Sequence, residues 1–155
     1  MLRYRSLTDR QRTQHEAIEA IAENTSSDRL LLQPNGKWSI KDNVAHLAKY
    51  QPVFIDRINR ILLRDEPAFE SYRAENDHEF PLWQTWEMRT LLDRLYADRE
   101  EINLLINDLS YTQLSLAGVH KKFGRLTIIQ WTEFFLLHEA HHMFTIFQLA
   151  NNIEL

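Results

Sequence analysis

The stretch Trp131–Ala150, WTEFFLLHEAHHMFTIFQLA, decides how this chain folds. It is apolar and aromatic on nearly every side, which predicts a helix buried in the core. His138 and His142 are four residues apart, so they share one face of that helix. Burying two imidazoles side by side costs free energy unless their nitrogens are satisfied, and a metal ion would satisfy them. The alternative is one polar core histidine with two surface histidines.

The composition is that of a small helical protein. A length of 155 residues suits a single domain over residues 1–155, and 44% apolar residues indicate a globular chain. Three glycines and four prolines are few for that length. This scarcity favours long helices over a turn-rich β architecture.

Charge and cysteine content narrow the function classes. The formal net charge is −4 with acidic and basic residues interspersed, so nothing predicts binding to nucleic acid. There is no cysteine, so a metal site must use nitrogen and oxygen ligands. No signal-peptide pattern or bilayer-spanning apolar run is visible. We therefore expect a cytoplasmic protein with no membrane partner.

Four long amphipathic segments predict the fold. They run from about Thr8 to Asn24, from the N-cap Ser39 to about Leu63, from about Thr85 to Leu109, and from the N-cap Thr127 to near Asn151. Thr8 or Ser6 would cap the first. Long connections at residues 65–83 and 110–126 separate the later helices, and Gly124 is expected to make a tight turn. The predicted fold class is all-α, a four-helix bundle with a long crossover.

A third metal ligand must come from another helix of such a bundle. His46 is the one histidine within an apolar segment of a different core helix, and we choose it to join His138 and His142. The other histidines are expected to lie on a polar helix, in charged loops or off the shared face, and so to be exposed or peripheral: His15, His78, His120 and His141. His141 could also support a ligand from the second shell of the site.

The last helix also matches the metalloprotease string His-Glu-x-x-His at residues 138–142. There Glu139 would be the general base. Only thirteen residues follow His142 and none is histidine, so the known third-ligand arrangements of metalloproteases do not fit. We keep Glu139 as a candidate catalytic residue, but an exposed helix glutamate is the preferred interpretation.

Two motifs resemble those of the DinB-like superfamily. Trp38-Ser39-x-x-Asp42-x-x-x-His46-Leu47 resembles its second-helix motif. Phe123-Gly124-x-Leu126-Thr127, then Trp131, His138-x-x-His141-His142 and Gln148, resembles its last-helix motif. The resemblance implies a four-helix bundle, often a homodimer. It also implies a divalent metal, with zinc or nickel among the possibilities, held by His46, His138 and His142.

Members of that superfamily include thiol transferases that use bacillithiol or other low-molecular-weight thiols, a mycothiol-dependent maleylpyruvate isomerase, and proteins assigned as metal-dependent hydrolases. The resemblance therefore implies a metal-dependent enzyme acting on a small molecule, with a metal-activated water or a thiol cosubstrate as nucleophile. Asp42 and Asn43 are expected to orient the second nitrogen of His46, and Asp42 is the other catalytic candidate. Tyr50 and Trp131 are interpreted as plain core aromatics rather than walls of the site.

Three classes of function stay open at this point. The first is a metal-dependent thiol transferase or hydrolase. The second is a metal-binding bundle without catalysis. The third is a metal-free helical bundle that acts as a dimeric interaction module.

Overall fold

The computed structural model describes residues 2–153, and helices dominate it. Eight α-helices follow in order: α1 Leu2–Thr13, α2 Glu16–Glu23, α3 Ser27–Leu31, α4 Ile40–Leu63, α5 Phe80–Gln84, α6 Met88–Asn107, α7 Tyr111–Leu114 and α8 Ile128–Ala150. Short 3-10 turns lie at Pro34–Gly36 and Ala74–Asn76. None of the helices in these residues is long and apolar enough to cross a bilayer.

The helices form the predicted four-helix bundle. Its four parts are α4, α6, α8 and the consecutive pair α1 and α2, and α4 packs on both α6 and α8. One half of the core surrounds Phe54, Phe135 and Trp131, and the other surrounds Val44, Leu91 and neighbouring side chains. Trp131 is fully buried, as the core interpretation expected.

Two helix starts were correctly predicted from local capping chemistry. The Ser39 hydroxyl accepts from the backbone N–H of Asp42, whose carboxylate accepts from the Ser39 backbone N–H, so the two residues form a capping box. Thr127 and Gln130 form the same arrangement at the start of α8. These boxes define where the two helices that carry the candidate ligands begin.

The first helix differs from its predicted span of Thr8–Asn24. It starts by Leu2, and the Thr8 hydroxyl bonds back to the carbonyls of Tyr4 and Arg5 instead of capping. It is interrupted at Gln14 and His15, where Ile18 N–H bonds the His15 carbonyl three residues back. Both interrupting side chains bond to other helices. The break between α1 and α2 therefore accompanies hydrogen bonds to other helices, and no local sequence pattern predicts it.

The connections hold a small sheet that the sequence did not predict. Its strands are β1 Ala68–Phe69, β2 Ala117–His120 and β3 Gly124–Thr127, in the order β1-β2-β3. β1 is parallel to β2, and β2 is antiparallel to β3. Gly124 has φ of +76°, which confirms the expected turn position. Strands of two to four residues are too short to show alternation.

The third helix is shorter than predicted. It begins at Met88 instead of Thr85 and ends at Asn107 instead of Leu109. Glu87, just before it, has an extended backbone with ψ of 149°, and the separate short helix α5 occupies part of the expected crossover. The bundle therefore connects α4 to α6 through β1, a 3-10 turn and α5.

Candidate metal site

The structure brings His46, His138 and His142 together between α4 and α8. Each offers one ring nitrogen, and these three atoms lie within 4.8 Å of one another. Nε2 of His46 is 3.0 Å from Nε2 of His138. No carboxylate of residues 2–153 belongs to this group. The cluster is thus a set of three nitrogen donors from two facing helices.

Burial controls the charge of these histidines. It lowers the pKa of each of the three, to about 3, because a charged imidazolium is poorly solvated there. The neighbouring imidazoles lower these pKa values further. All three rings are therefore neutral near pH 7, which is the form that binds a metal.

Asn43 determines which nitrogen of His142 is free. Its side-chain N–H₂ donates to the Ser39 carbonyl at 2.8 Å, so its oxygen faces the other way. That oxygen lies 2.8 Å from Nδ1 of His142 and, as an acceptor only, must accept a hydrogen bond from an N–H at that position. His142 therefore carries its proton on Nδ1, and its Nε2 lone pair remains for a ligand.

The two other ligand candidates lack such partners. Nδ1 of His46 and Nδ1 of His138 are buried and have no hydrogen-bond partner among the residues described. Two neutral imidazoles that face each other through Nε2 can share only one proton between them. A cation between them would use both lone pairs. Nitrogens bound to one zinc at tetrahedral angles lie about 3.4 Å apart, close to the spacing of His46 and His138. The residues therefore fit a divalent metal, with an adjustment on the order of 1 Å to gather all three.

Aromatic rings surround the cluster. Trp38 packs against His46 and His142 with ring centroids 5.1 Å and 6.2 Å away. Tyr50 lies 4.6 Å from the His138 ring, and Tyr72 lies 5.8 Å from His46. Tyr50 was interpreted as plain core, and it is buried, but it also forms a wall of the cluster. Such walls lower the local dielectric and strengthen electrostatic interactions inside the site.

The sequence of residues 10–146 matches the DinB superfamily. This chain belongs to the DinB superfamily. As a DinB protein it has the four-helix bundle and the histidine cluster that the two motifs indicated. No curated protein matches the chain.

One solved structure similar to this DinB protein is YfiT from Bacillus subtilis. That protein is described as a probable metal-dependent hydrolase with an unusual four-helix bundle topology. The TM-score is 0.81 at 18% sequence identity, over 96% of this chain and 86% of YfiT. At this identity the similarity establishes the four-helix bundle topology.

The expected exposure of Glu139 is wrong. Glu139 is 1% exposed and forms a buried ion pair with Arg99 of α6. Gln14 also donates to its carboxylate at 3.0 Å. Glu139 is adjacent to His138 in sequence, but consecutive helical residues point about 100° apart. Its carboxylate is occupied on another face of α8, which argues against a role as general base.

Asp42 and Asn43 do not orient His46. The Asp42 carboxylate accepts from Ser39, from Gln33 at 2.8 Å and from Gln84 at 2.9 Å. Burial raises the pKa of Asp42, but these hydrogen bonds together outweigh it and hold the pKa below its usual value. Its carboxylate serves the helix start rather than the cluster. Asn43 does orient a histidine of the cluster, but that histidine is His142 rather than His46.

Two histidines that were expected to be exposed, His15 and His120, are buried. His15 is 4% exposed, and its Nδ1 accepts from Arg99 at 3.1 Å. His120 is 3% exposed and lies in β2, where its Nδ1 accepts from the backbone N–H of Lys122 at 3.0 Å. His78 and His141 are exposed, as predicted. His15 is buried against Arg99 of α6, and His120 packs against Trp131 and Phe134 of α8, so the polarity of their own segments was a poor guide.

Proposed function

We propose that the protein holds a divalent cation, zinc or nickel, with His46, His138 and His142, and uses it in catalysis on a small molecule. The observation that carries this proposal is the 3.0 Å approach of the His46 and His138 Nε2 atoms beside a His142 ring oriented by Asn43. A neutral three-histidine set suits zinc and nickel and leaves a coordination position open.

The reaction would be hydrolysis or thiol transfer. A bound divalent cation would lower the pKa of a coordinating water or thiol, making it a nucleophile near neutral pH. The three histidines would hold that cation. Burial raises the pKa of Tyr50, so its hydroxyl keeps its proton and can donate a hydrogen bond to a substrate. Since no carboxylate of the described residues joins the cluster, activation of the nucleophile would depend on the metal.

Metal removal and reconstitution test this proposal. The purified protein is stripped with chelator and reloaded with zinc or nickel. Each form is assayed for hydrolysis of ester and amide substrates, and for conjugation of low-molecular-weight thiols to a fluorogenic electrophile. We expect turnover in one arm that disappears on stripping and returns on reloading. Replacing a ligand should lower that turnover at least 100-fold.

His142→Ala and His141→Ala are the matched variants. They change adjacent histidines of α8, and only His142 belongs to the cluster. We expect His141→Ala to keep wild-type turnover. Metal binding without turnover in either arm would reduce the proposal to a metal-binding bundle. Absence of metal binding would leave the metal-free interaction module.

The remaining proposals concern partners. We propose a homodimer, and for the transferase arm a low-molecular-weight thiol as cosubstrate. Light scattering coupled to size exclusion measures the molecular mass, and a monomer at micromolar concentration would overturn the dimer. Dependence of turnover on thiol concentration tests the cosubstrate.

A further inference from the structure

A cavity of about 250 Å³ adjoins His138, and hydrogen-bond donors dominate its polar lining. The residues that surround it include Tyr50, Arg57, Arg73, His120 and Lys122. Within the described part of the chain, no aspartate or glutamate lines it. Three of these five side chains are permanent cations near neutral pH. The electrostatic character of the cavity is therefore opposite to the net charge of −4 for the whole chain.

Arg57 is the unusual member of this lining. It is only 5% exposed, and its guanidinium donates to the Tyr50 hydroxyl at 3.1 Å and to the Glu70 carbonyl at 2.8 Å. Both acceptors are neutral. Among the ion pairs of residues 2–153, none includes Arg57, and the Glu70 carboxylate pairs with Lys121 at 2.9 Å instead. A buried cation without a counter-charge is costly, and the rings of Tyr50, Phe69 and Trp131, 5.2 to 5.8 Å from the Arg57 guanidinium, offset only part of that cost.

Arg99 is a buried arginine of the same core whose charge is paired, and it serves as a comparison for Arg57. It is fully buried and forms an ion pair with Glu139. It also donates to Gln51 at 3.1 Å and to the Gln11 carbonyl at 3.2 Å. Arg57 has a comparable degree of burial, but it has no carboxylate and it borders a cavity. Only two of its five N–H donors are used by acceptors within residues 2–153.

Side chains next to Arg57 in the lining also have a hydrogen-bond donor left for a ligand. The Tyr50 oxygen accepts from Arg57, so the phenol proton is left to donate elsewhere. His120 uses Nδ1 to accept from the backbone N–H groups of Lys122 and Phe123, which places its proton on Nε2. On α4, His46, Tyr50 and Arg57 are spaced at i, i+4 and i+11, so they lie along one face of the helix. The cavity thus presents donors next to a candidate metal ligand.

We propose that this cavity is an oxyanion subsite, and that the substrate is a small molecule whose carboxylate or phosphate group binds Arg57 while its reacting end faces the histidine cluster. A guanidinium recognises either group through paired N–H donors. Phe123 and Phe134, with ring centroids 5.3 Å apart, line the cavity and would contact an apolar portion of the substrate. This inference rests on the proposed function, because it names the substrate class of the same site.

Calorimetric titration of the metal-free protein tests the subsite separately from metal chemistry. The probes are benzoate and phenyl phosphate, with benzamide as the uncharged control. We expect at least one oxyanion to bind ten-fold or more tightly than benzamide. Equal binding of all three probes would overturn the proposal. This titration uses no metal. If the metal-loaded protein shows no turnover, the proposed function is contradicted, but the oxyanion affinity measured on the metal-free protein still stands.

Arg57→Met and Arg60→Gln are the first pair of variants. Both remove one positive charge from α4, but Arg60 is paired with Asp56 and does not line this cavity. We expect Arg57→Met to weaken oxyanion binding ten-fold or more, and its melting temperature shows whether the variant is folded. Arg60→Gln should stay within two-fold of wild type. Unchanged binding by a folded Arg57→Met protein would overturn the proposal.

If Arg57→Met does not fold, the variants Lys122→Gln and Lys121→Gln test the oxyanion subsite instead. These adjacent lysines are both exposed, and only Lys122 lines the cavity. We expect a several-fold loss of oxyanion affinity in Lys122→Gln alone. Equal affinity in both lysine variants would count against the subsite.

Discussion

The side-chain oxygen of Asn43 lies 2.8 Å from Nδ1 of His142, and this bond joins α4 to the candidate metal ligand on α8. The two residues are 99 positions apart in the chain. Because the Asn43 amide nitrogen is held by the Ser39 carbonyl, the capping turn of α4 indirectly determines the tautomer of a histidine on another helix.

Asn43→Ala should weaken metal binding about 10- to 100-fold, because His142 loses the acceptor that keeps its proton on Nδ1. Asn43→Asp should retain the affinity, since a carboxylate accepts the same bond. Competition with a chromophoric chelator measures the affinity. Melting temperatures serve as the control, because both variants lose the bond to Ser39. Equal affinities of the alanine and aspartate variants would show that the bond does not support the ligand.

Zinc should stabilise the folded protein, and the effect should require His142. At a free-ion concentration 100 times the dissociation constant, ligand linkage contributes about 2.7 kcal/mol of unfolding free energy. We expect chelator to reverse this gain and His142→Ala to abolish it, whereas His141→Ala keeps it. Differential scanning calorimetry with and without zinc measures the change in stability. A similar zinc effect in both histidine variants would place the ion elsewhere.

Glu139→Gln should destabilise the fold by about 3 kcal/mol, because it leaves Arg99 as a buried charge without its partner. The matched change on α8 is Glu133→Gln, which breaks a partly exposed pair with Arg10 and should cost less than about 1 kcal/mol. Urea unfolding measures both. Normal stability with strongly reduced turnover in Glu139→Gln would instead indicate a base role for Glu139.

His15 should make stability depend on pH. Burial, and then the charge of Arg99, lower the pKa of His15 from 6.5 to about 4, while Glu19 acts in the opposite direction. Between these two values the unfolded chain binds more protons, so this contribution is complete above about pH 6.5 and is lost as the pH falls towards 4. Allowing for partial screening, we expect on the order of 1 kcal/mol.

The comparison of wild type with His15→Gln isolates this contribution. The three cluster histidines also have lowered pKa values, so the metal-free wild type and variant must be unfolded side by side between pH 7 and 4.5. The difference in their unfolding free energies should shrink as the pH falls. A constant difference would contradict a neutral, buried His15.

Local patterns predicted the parts of the fold that depend on local interactions. The spacing of apolar residues placed α4, α6 and α8, and capping residues located the starts at Ser39 and Thr127. The same logic grouped His138 with His142, since four residues make about one helical turn. The choice of His46 followed because it is the one histidine within an apolar segment of a core helix other than α8.

Other features depended on partners far along the chain. Glu139 and Arg99 are separated by 40 positions, and Arg99 and His15 by 84. A polar side chain looks exposed in its own segment until such a partner is known. Helical spacing alone places Arg57 on the face of α4 that carries His46 and Tyr50, so its proximity to the site is predictable from sequence. Its missing counter-charge, however, is visible only in three dimensions.

Helix periodicity and capping act within a few residues, so the long helices, the N-caps Ser39 and Thr127 and the grouping of three histidines could be predicted from sequence. The burial of polar groups, the break at His15 and the donor-lined cavity beside His138 became visible only in the folded chain. Those depend on hydrogen bonds and charges between different elements, and burial makes such contacts energetically decisive.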